Sequence, residues 1–152
     1  FRGWCWEGEG YDMVGFGSRA GIVDRIAGVG RYEVHEVGET PGTRVINRVR
    51  AINARSDSDA VVREIASAEI VTTAVGADIL RFVAPVIAKG LAARPEKAAR
   101  LVVLACENAI GATRLLQPDI PHALGHADRE RLHLPVRFTW PRVDARAPYQ
   151  CT

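Results

Sequence analysis

The chain is 152 residues long, with 20 Lys or Arg against 18 Asp or Glu and a formal net charge of +2. Hydrophobic residues make up 47% and charged residues 25%, the proportions of one soluble globular domain. Near-neutral charge excludes an electrostatic nucleic-acid binder, and no apolar run approaches the roughly 18 residues of a membrane span.

The first residues, FRGWCWEGEG, contain no basic segment leading into an apolar core, so they are not a signal peptide. The sequence does not open on Met, so a fragment is expected. Trp4, Cys5 and Trp6 would cover a core edge. Tyr11–Val14 is a short strand. Gly15-Phe16-Gly17-Ser18-Arg19-Ala20 follows, then a helical segment, Ile22–Ala27, in which Ile22, Val23 and Ile26 share a face; Gly28 and Gly30 end it. Arg31–Val37 alternates as a strand does. Gly38–Gly42 is turn chemistry, and Arg44–Ile52 again favours strand, so the two form a hairpin.

Ser56 or Asp57 caps a helix over Asp59–Ala68, with Val61, Val62 and Ile65 on one face. Two short apolar runs, Ile70–Val75 and Leu101–Cys106, then flank a segment of helical period, Asp78–Ala93. Strand, crossover helix and parallel strand is the simplest reading, and near-continuous apolar strands suit a sheet covered on both faces. Pro85 would kink or split the crossover helix near Val83. Arg94–Arg100 is a charged connection. Ala109–Leu116 is a short helix with Asn108 at its N-cap. Beyond Gln117, Pro118, Pro121, Pro135, Pro141 and Pro148 interrupt both periods, and an irregular tail is expected.

Ligands of a parallel sheet sit at the carboxyl ends of its strands. Here those ends are Ala74-Val75-Gly76 and Cys106-Glu107-Asn108. Small residues let a flat ligand approach the backbone at the first. A carboxylate and an amide could hold a ribose, an amide or a polyol at the second. Simple turn packing, and a cap by Asn108 beside a solvated Glu107, explain the same residues structurally. Gly15-x-Gly17-x-x-Ala20 has the spacing of a phosphate-binding loop, but that pattern is degenerate in a chain with 14 glycines. His35, His122, His126 and His133 do not form a metal set. Cys5, Cys106 and Cys151 are widely spaced, which suits reduced thiols in the cytoplasm.

Five stretches carry a specific resemblance: YEVHEVGE (32–39), RAINARSDSD (50–59), IVTTAVGADIL (70–80), APVIAKG (84–90) and LACENAIGAT (104–113). Residues 31–116 resemble the N-terminal domain of the mannitol-1-phosphate 5-dehydrogenases, in the polyol-specific long-chain dehydrogenase group. The resemblance implies a Rossmann sheet, NAD(H) as cofactor, and interconversion of the sugar phosphates mannitol 1-phosphate and fructose 6-phosphate. It implies that Ala74, Val75 and Gly76 face the dinucleotide, and that Glu107 and Asn108 lie near the nicotinamide and substrate.

The departures are equally specific. The family's opening strand and its fingerprint, GxGNIGRG, are missing. In an ungapped register from Gly10-Tyr11, Gly15 and Gly17 fall inside the second strand, and Gly17 takes the place of the acidic ribose partner. At the far end, Phe138, Val143, Asp144 and Pro148 keep a family spacing, but Trp140 and Pro141 replace its polar residues. The family's catalytic Lys belongs to a C-terminal domain absent here. The expected fold is therefore α/β: a partial Rossmann-like domain over residues 1–117, a mostly parallel sheet with flanking helices and a β-hairpin, then an irregular tail over 118–152. The expected function is that of a cytoplasmic NAD-dependent polyol-phosphate oxidoreductase, inactive in this fragment, with no nucleic-acid or membrane partner. Its alternatives are a vestigial nucleotide-binding module without turnover and a non-functional, frame-shifted fragment.

Overall fold

The computed structural model describes residues 12–17, 20–36, 41–107, 112–123 and 136–139. Expectations for Trp4, Cys5, Trp6, most of the turn after Val37, Asn108 and the segment around Trp140 fall outside the described residues. The described chain forms two compact units that divide between Ala60 and Val61.

In the first unit, β1 (Met13–Gly17) pairs in parallel with β4 (Val49–Asn53), Met13 opposite Val49 and Gly17 opposite Asn53. Backbone bonds close both ends of this ladder: Met13 N–H to the Arg48 carbonyl at 3.1 Å and Ala54 N–H to the Gly17 carbonyl at 3.0 Å. β1 thus runs three residues beyond the short strand expected at 11–14, because pairing with β4 outweighs the low strand preference of Gly15 and Gly17. The connection includes α1 (Ala20–Val29), which packs on β1 and β4 through buried Val23. Ile22, expected on the same face, is exposed. α1 continues through Gly28 and stops at Gly30, whose φ of +67° is the left-handed conformation favoured at a helix end.

The expected hairpin is present. β2 (Tyr32–Glu36) pairs antiparallel with β3 (Gly42–Ile46), Tyr32 opposite Ile46. The strand expected over 44–52 is two strands, because Arg48 turns the backbone to a φ of +52° between β3 and β4. That conformation costs a non-glycine residue about 1 kcal/mol. The Arg48 guanidinium donates to Asp12 Oδ1 from Nε at 2.8 Å and Nη2 at 2.7 Å. Both side chains are exposed, so the pair supplies under about 1 kcal/mol; the bend depends more on the β1–β4 ladder.

The helix α2 (Ser58–Ser67) starts at the boundary between the units. Asp57 is its cap: Oδ1 accepts from Ala60 N–H at 2.9 Å. Asp57→Ala is expected to lower stability by about 1 kcal/mol, read from the urea midpoint, and Asp57→Ser to restore most of it.

In the second unit, β5 (Ile70–Thr73), β6 (Leu101–Ala105) and β7 (Val136–Thr139) form a parallel sheet in the order β5-β6-β7. A single 3₁₀ turn, Ala77–Ile79, leads into the crossover helix α3 (Leu80–Ala92). Its buried residues Leu80, Ala84, Ile87, Ala88 and Leu91 follow the helical period. Pro85 does not split it. The proline is on the exposed side, where water serves the carbonyl that loses its donor, while the buried stripe holds both halves.

Helix α4 (Ala112–His122) packs on α3 and β6. It runs through Pro118 and Pro121, both exposed, where the sequence reading expected the helix to end at Leu116. Ala112, Leu116 and Ile120, all buried, anchor it at a spacing of one turn. The part of the chain expected to be irregular therefore contributes the end of a helix and a sheet strand. No helix among the described residues is long and apolar enough to cross a membrane.

Arg94, expected in a charged connection, is buried. Its Nη1 donates to the carbonyls of Ile65, Ala66 and Ala68 at 3.3, 3.0 and 2.7 Å, and Nη2 to that of Ala99 at 2.7 Å. Burial pulls the guanidinium below its ordinary pKa.

Candidate functional site

β5 and β6 are parallel and adjacent, Thr73 opposite Ala105, so both chains leave the sheet at the same edge. β5 ends at Thr73, two residues before the end of the expected strand, which leaves Ala74, Val75 and Gly76 as an exposed turn. Cys106 N–H donates to the Thr73 carbonyl at 2.8 Å, and Ala105 N–H to Thr113 Oγ1 at 3.0 Å. These bonds fix the exit of β6 to β5 on one side and to the start of α4 on the other.

Glu107 is buried, with 8% of its surface exposed, and is not the solvated residue of the structural alternative. Its carboxylate spans the gap between the two strand ends. Oε1 accepts from Val75 N–H at 3.1 Å and Oε2 from Gly76 N–H at 2.6 Å. A carboxylate with both oxygens bonded to consecutive amides is a strong clamp, since such charge-assisted bonds are about twice as strong as neutral ones. Gly76 is held at a φ of +101°, a conformation that side chains rarely adopt, and a Cβ placed there would meet nothing within 4 Å. Among the described residues, the space before Gly76 is open and its backbone is approachable.

Of the residues expected in a site, the structure brings together Val75, Gly76 and Glu107, with Ala74 in the same turn. Asn108 lies outside the described residues. The clamp consumes the Val75 and Gly76 N–H groups, so they are not free to bind an anion. What the turn offers outward is apolar: Val75 and Ile79 are each 44% exposed, and Phe82, one helical turn further along α3, is 62% exposed. Beneath the turn, Thr73 Oγ1 is buried and has no hydrogen-bond partner among the described residues. An orphaned buried hydroxyl is uncommon. Sequence reasoning singled out neither the orphaned hydroxyl nor the clamp; a carboxylate one step past a strand end, beside a second strand ending in glycine, is the signal available for the clamp.

Gly15 and Gly17 pair with Ala51 and Asn53 inside β1, as the ungapped register placed them. They are strand residues and not a phosphate loop.

Comparison with solved structures gives mannitol 2-dehydrogenase of Pseudomonas fluorescens, solved as a ternary complex with NAD and D-mannitol. The TM-score is 0.66 at 16% identity, over 84% of this chain and 34% of that one, and shows the α/β Rossmann-like fold. Among curated proteins, mannitol-1-phosphate 5-dehydrogenase of Paenarthrobacter aurescens (strain TC1) is 49% identical over 111 residues, covering 73% of this chain and 29% of the relative. The enzyme of the same name from Aureobasidium melanogenum is 41% identical over 143 residues, covering 93% and 37%. The chain thus spans about a third of the length of the curated relatives it matches. The family model for the mannitol dehydrogenase Rossmann domain matches residues 1–150. With nearly the whole chain matched, and parallel strand pairs in each of its two units, this chain belongs to the mannitol dehydrogenase family through its Rossmann domain.

Proposed function

We propose that this chain binds NAD(H) at the carboxyl ends of β5 and β6, as part of a cytoplasmic oxidoreductase that interconverts mannitol 1-phosphate and fructose 6-phosphate. The observation that carries the reading is the turn at Ala74–Gly76, held by Glu107 with its open side at Gly76. Its surface suits a flat ring lying against apolar side chains, and the orphaned Thr73 hydroxyl fits a site with polar capacity to spare. Bound there, the cofactor supplies the hydride acceptor or donor of the reaction. The chain's own residues orient it. Glu107 is a positioning residue that fixes the turn, Ala74, Val75 and Gly76 form the contact surface, and the family resemblance gives Asn108 a role near the nicotinamide and substrate. Turnover of the sugar phosphates is proposed for the whole enzyme, and cofactor binding for this chain.

Titration of the purified chain with NADH, followed by fluorescence, tests the reading. Saturable binding is expected, weakened about 10-fold in Glu107→Gln, where an amide N–H₂ faces a backbone N–H and one bond is lost. Glu107→Gln is also expected to cost about 1 kcal/mol of stability, because the turn keeps an unpaired, part-buried donor. A cooperatively folded chain that binds no NADH into the millimolar range would overturn the proposal.

A further inference from the structure

Thr73 is the last residue of β5, one step before the exposed turn at Ala74–Gly76. Its main chain is tied to β6: it lies opposite Ala105, and its carbonyl accepts from Cys106 N–H at 2.8 Å. Paired residues of a ladder share a face, as do residues two apart on a strand. Val71, Thr73, Val103 and Ala105 therefore form one patch, and all four are buried. Three of them are apolar. Thr73 carries the patch's hydroxyl. The residue is 6% exposed, while its Oγ1 is closed to solvent and has no hydrogen-bond partner among the described residues.

Folding strips this hydroxyl of water and returns no bond, which is unfavourable. Valine has the same shape without the polar atom, suits a strand equally well, and already stands at Val71 in the same patch. A threonine where valine would be the more stable choice breaks a folding rule without a gain inside the fold. Such breaks gather at functional sites.

The place of the hydroxyl defines what it can bond. It lies at the carboxyl edge of β5, beneath a turn whose Gly76 faces open space. Glu107 already takes the Val75 and Gly76 N–H groups, so those backbone donors are spent. The same carboxylate disfavours a second negative charge beside it. A ligand group that fits here is neutral, and a hydroxyl can both donate to it and accept from it. Rotation about the Cα–Cβ bond, from one staggered position to the next, turns Oγ1 without moving the backbone. We propose that the Thr73 hydroxyl is a ligand contact of the strand-end site, bonding a neutral polar group of the dinucleotide, a ribose hydroxyl or the nicotinamide carboxamide; this rests on the dinucleotide reading above.

The experiment measures NADH dissociation constants and urea midpoints for the full chain, Thr73→Val and Thr73→Ser. Thr73→Val keeps the shape and loses the hydroxyl. It is expected to unfold at the same urea concentration or a higher one, and to bind NADH about 10-fold more weakly. Thr73→Ser keeps the hydroxyl and loses a buried methyl. It is expected to unfold at a lower urea concentration and to bind NADH within about 3-fold of the unaltered chain. The two variants thus rank in opposite orders for stability and affinity, which a side chain that only packs does not produce. Titration with ADP-ribose, which lacks the nicotinamide ring, separates the two partner groups: a weakening that persists in Thr73→Val assigns a ribose hydroxyl, and one that vanishes assigns the carboxamide. A Thr73→Val chain that binds NADH as tightly as the unaltered one overturns the inference and leaves the dinucleotide reading standing. So does a Thr73→Val chain whose urea midpoint falls, since its hydroxyl would then have a partner within the protein. An unaltered chain that binds no NADH removes the dinucleotide reading, and this inference with it.

Discussion

Arg94→Met is expected to destabilise the chain by about 3–5 kcal/mol, seen as a large fall in the urea midpoint at unchanged slope. The reason is the number of acceptors that depend on one guanidinium. Ile65, Ala66 and Ala68 place their carbonyls at and just past the end of α2, where helical carbonyls lack intrahelical donors. Arg94 supplies donors to all three and adds a positive charge where the helix dipole favours one. Its second arm holds Ala99 just before β6. Methionine fills similar volume but donates nothing, so several carbonyls lose their partner at once, each at about 1–3 kcal/mol before relaxation. Water reaches some of them, which keeps the total below the sum. Arg94→Lys should recover only part of the loss, since one ammonium cannot reach both sides of the fork. A change below about 1 kcal/mol in Arg94→Met would show that water replaces the guanidinium freely.

Gly90→Ala should destabilise by about 1–3 kcal/mol, although alanine is the better helix former by about 1 kcal/mol. The two effects oppose each other, and the geometry decides between them. A Cβ at Gly90 would overlap Ile65 Cγ2, stand 2.5 Å from Ile65 Cβ and 3.4 Å from the Val62 carbonyl. Carbon atoms pack at about 3.5–4.0 Å, so α2 and α3 would have to separate by about an ångström. Ile65 is a buried core residue attached at its Cβ, and it cannot swing aside as a surface side chain would. Adding Ile65→Gly, which removes both Ile65 atoms in the overlap, should reduce the penalty of Gly90→Ala, giving a favourable coupling in a double-mutant cycle measured by thermal or urea unfolding. Additive costs would mean that the helices do not touch at this point.

Much of the fold was legible in the sequence because it rests on local patterns. The apolar runs at Ile70 and Leu101 are both strands, and the spacing of Leu80, Ile87 and Leu91 gives the crossover helix. The hairpin and the cap choice between Ser56 and Asp57 came from turn and capping chemistry, which acts over a few residues. The errors share a cause. Pro85, Pro118 and Pro121 are strong local signals against helix, yet in each case the proline is exposed and buried neighbours hold the helix together. Arg48 gives no sequence sign that it will bend the chain between β3 and β4, because the bend depends on a ladder with β1, more than thirty residues earlier.

For the candidate site, the sequence by itself picked out two strand ends, Ala74–Gly76 and Glu107, and the family to which the motifs belong. Periodicity and motif spacing suffice for that, because strand alternation and turn residues are local properties of the chain. Only the tertiary structure decided what those residues do to one another. Glu107 is not a solvated neighbour of a cap but a buried clamp on two amides of another strand's exit. Arg94 is not part of a charged surface connection but the terminus of a helix about thirty residues upstream. In both, a charge leaves water only because backbone groups distant in sequence converge on it. That convergence is set by how strands and helices pack, and no short-range pattern encodes it.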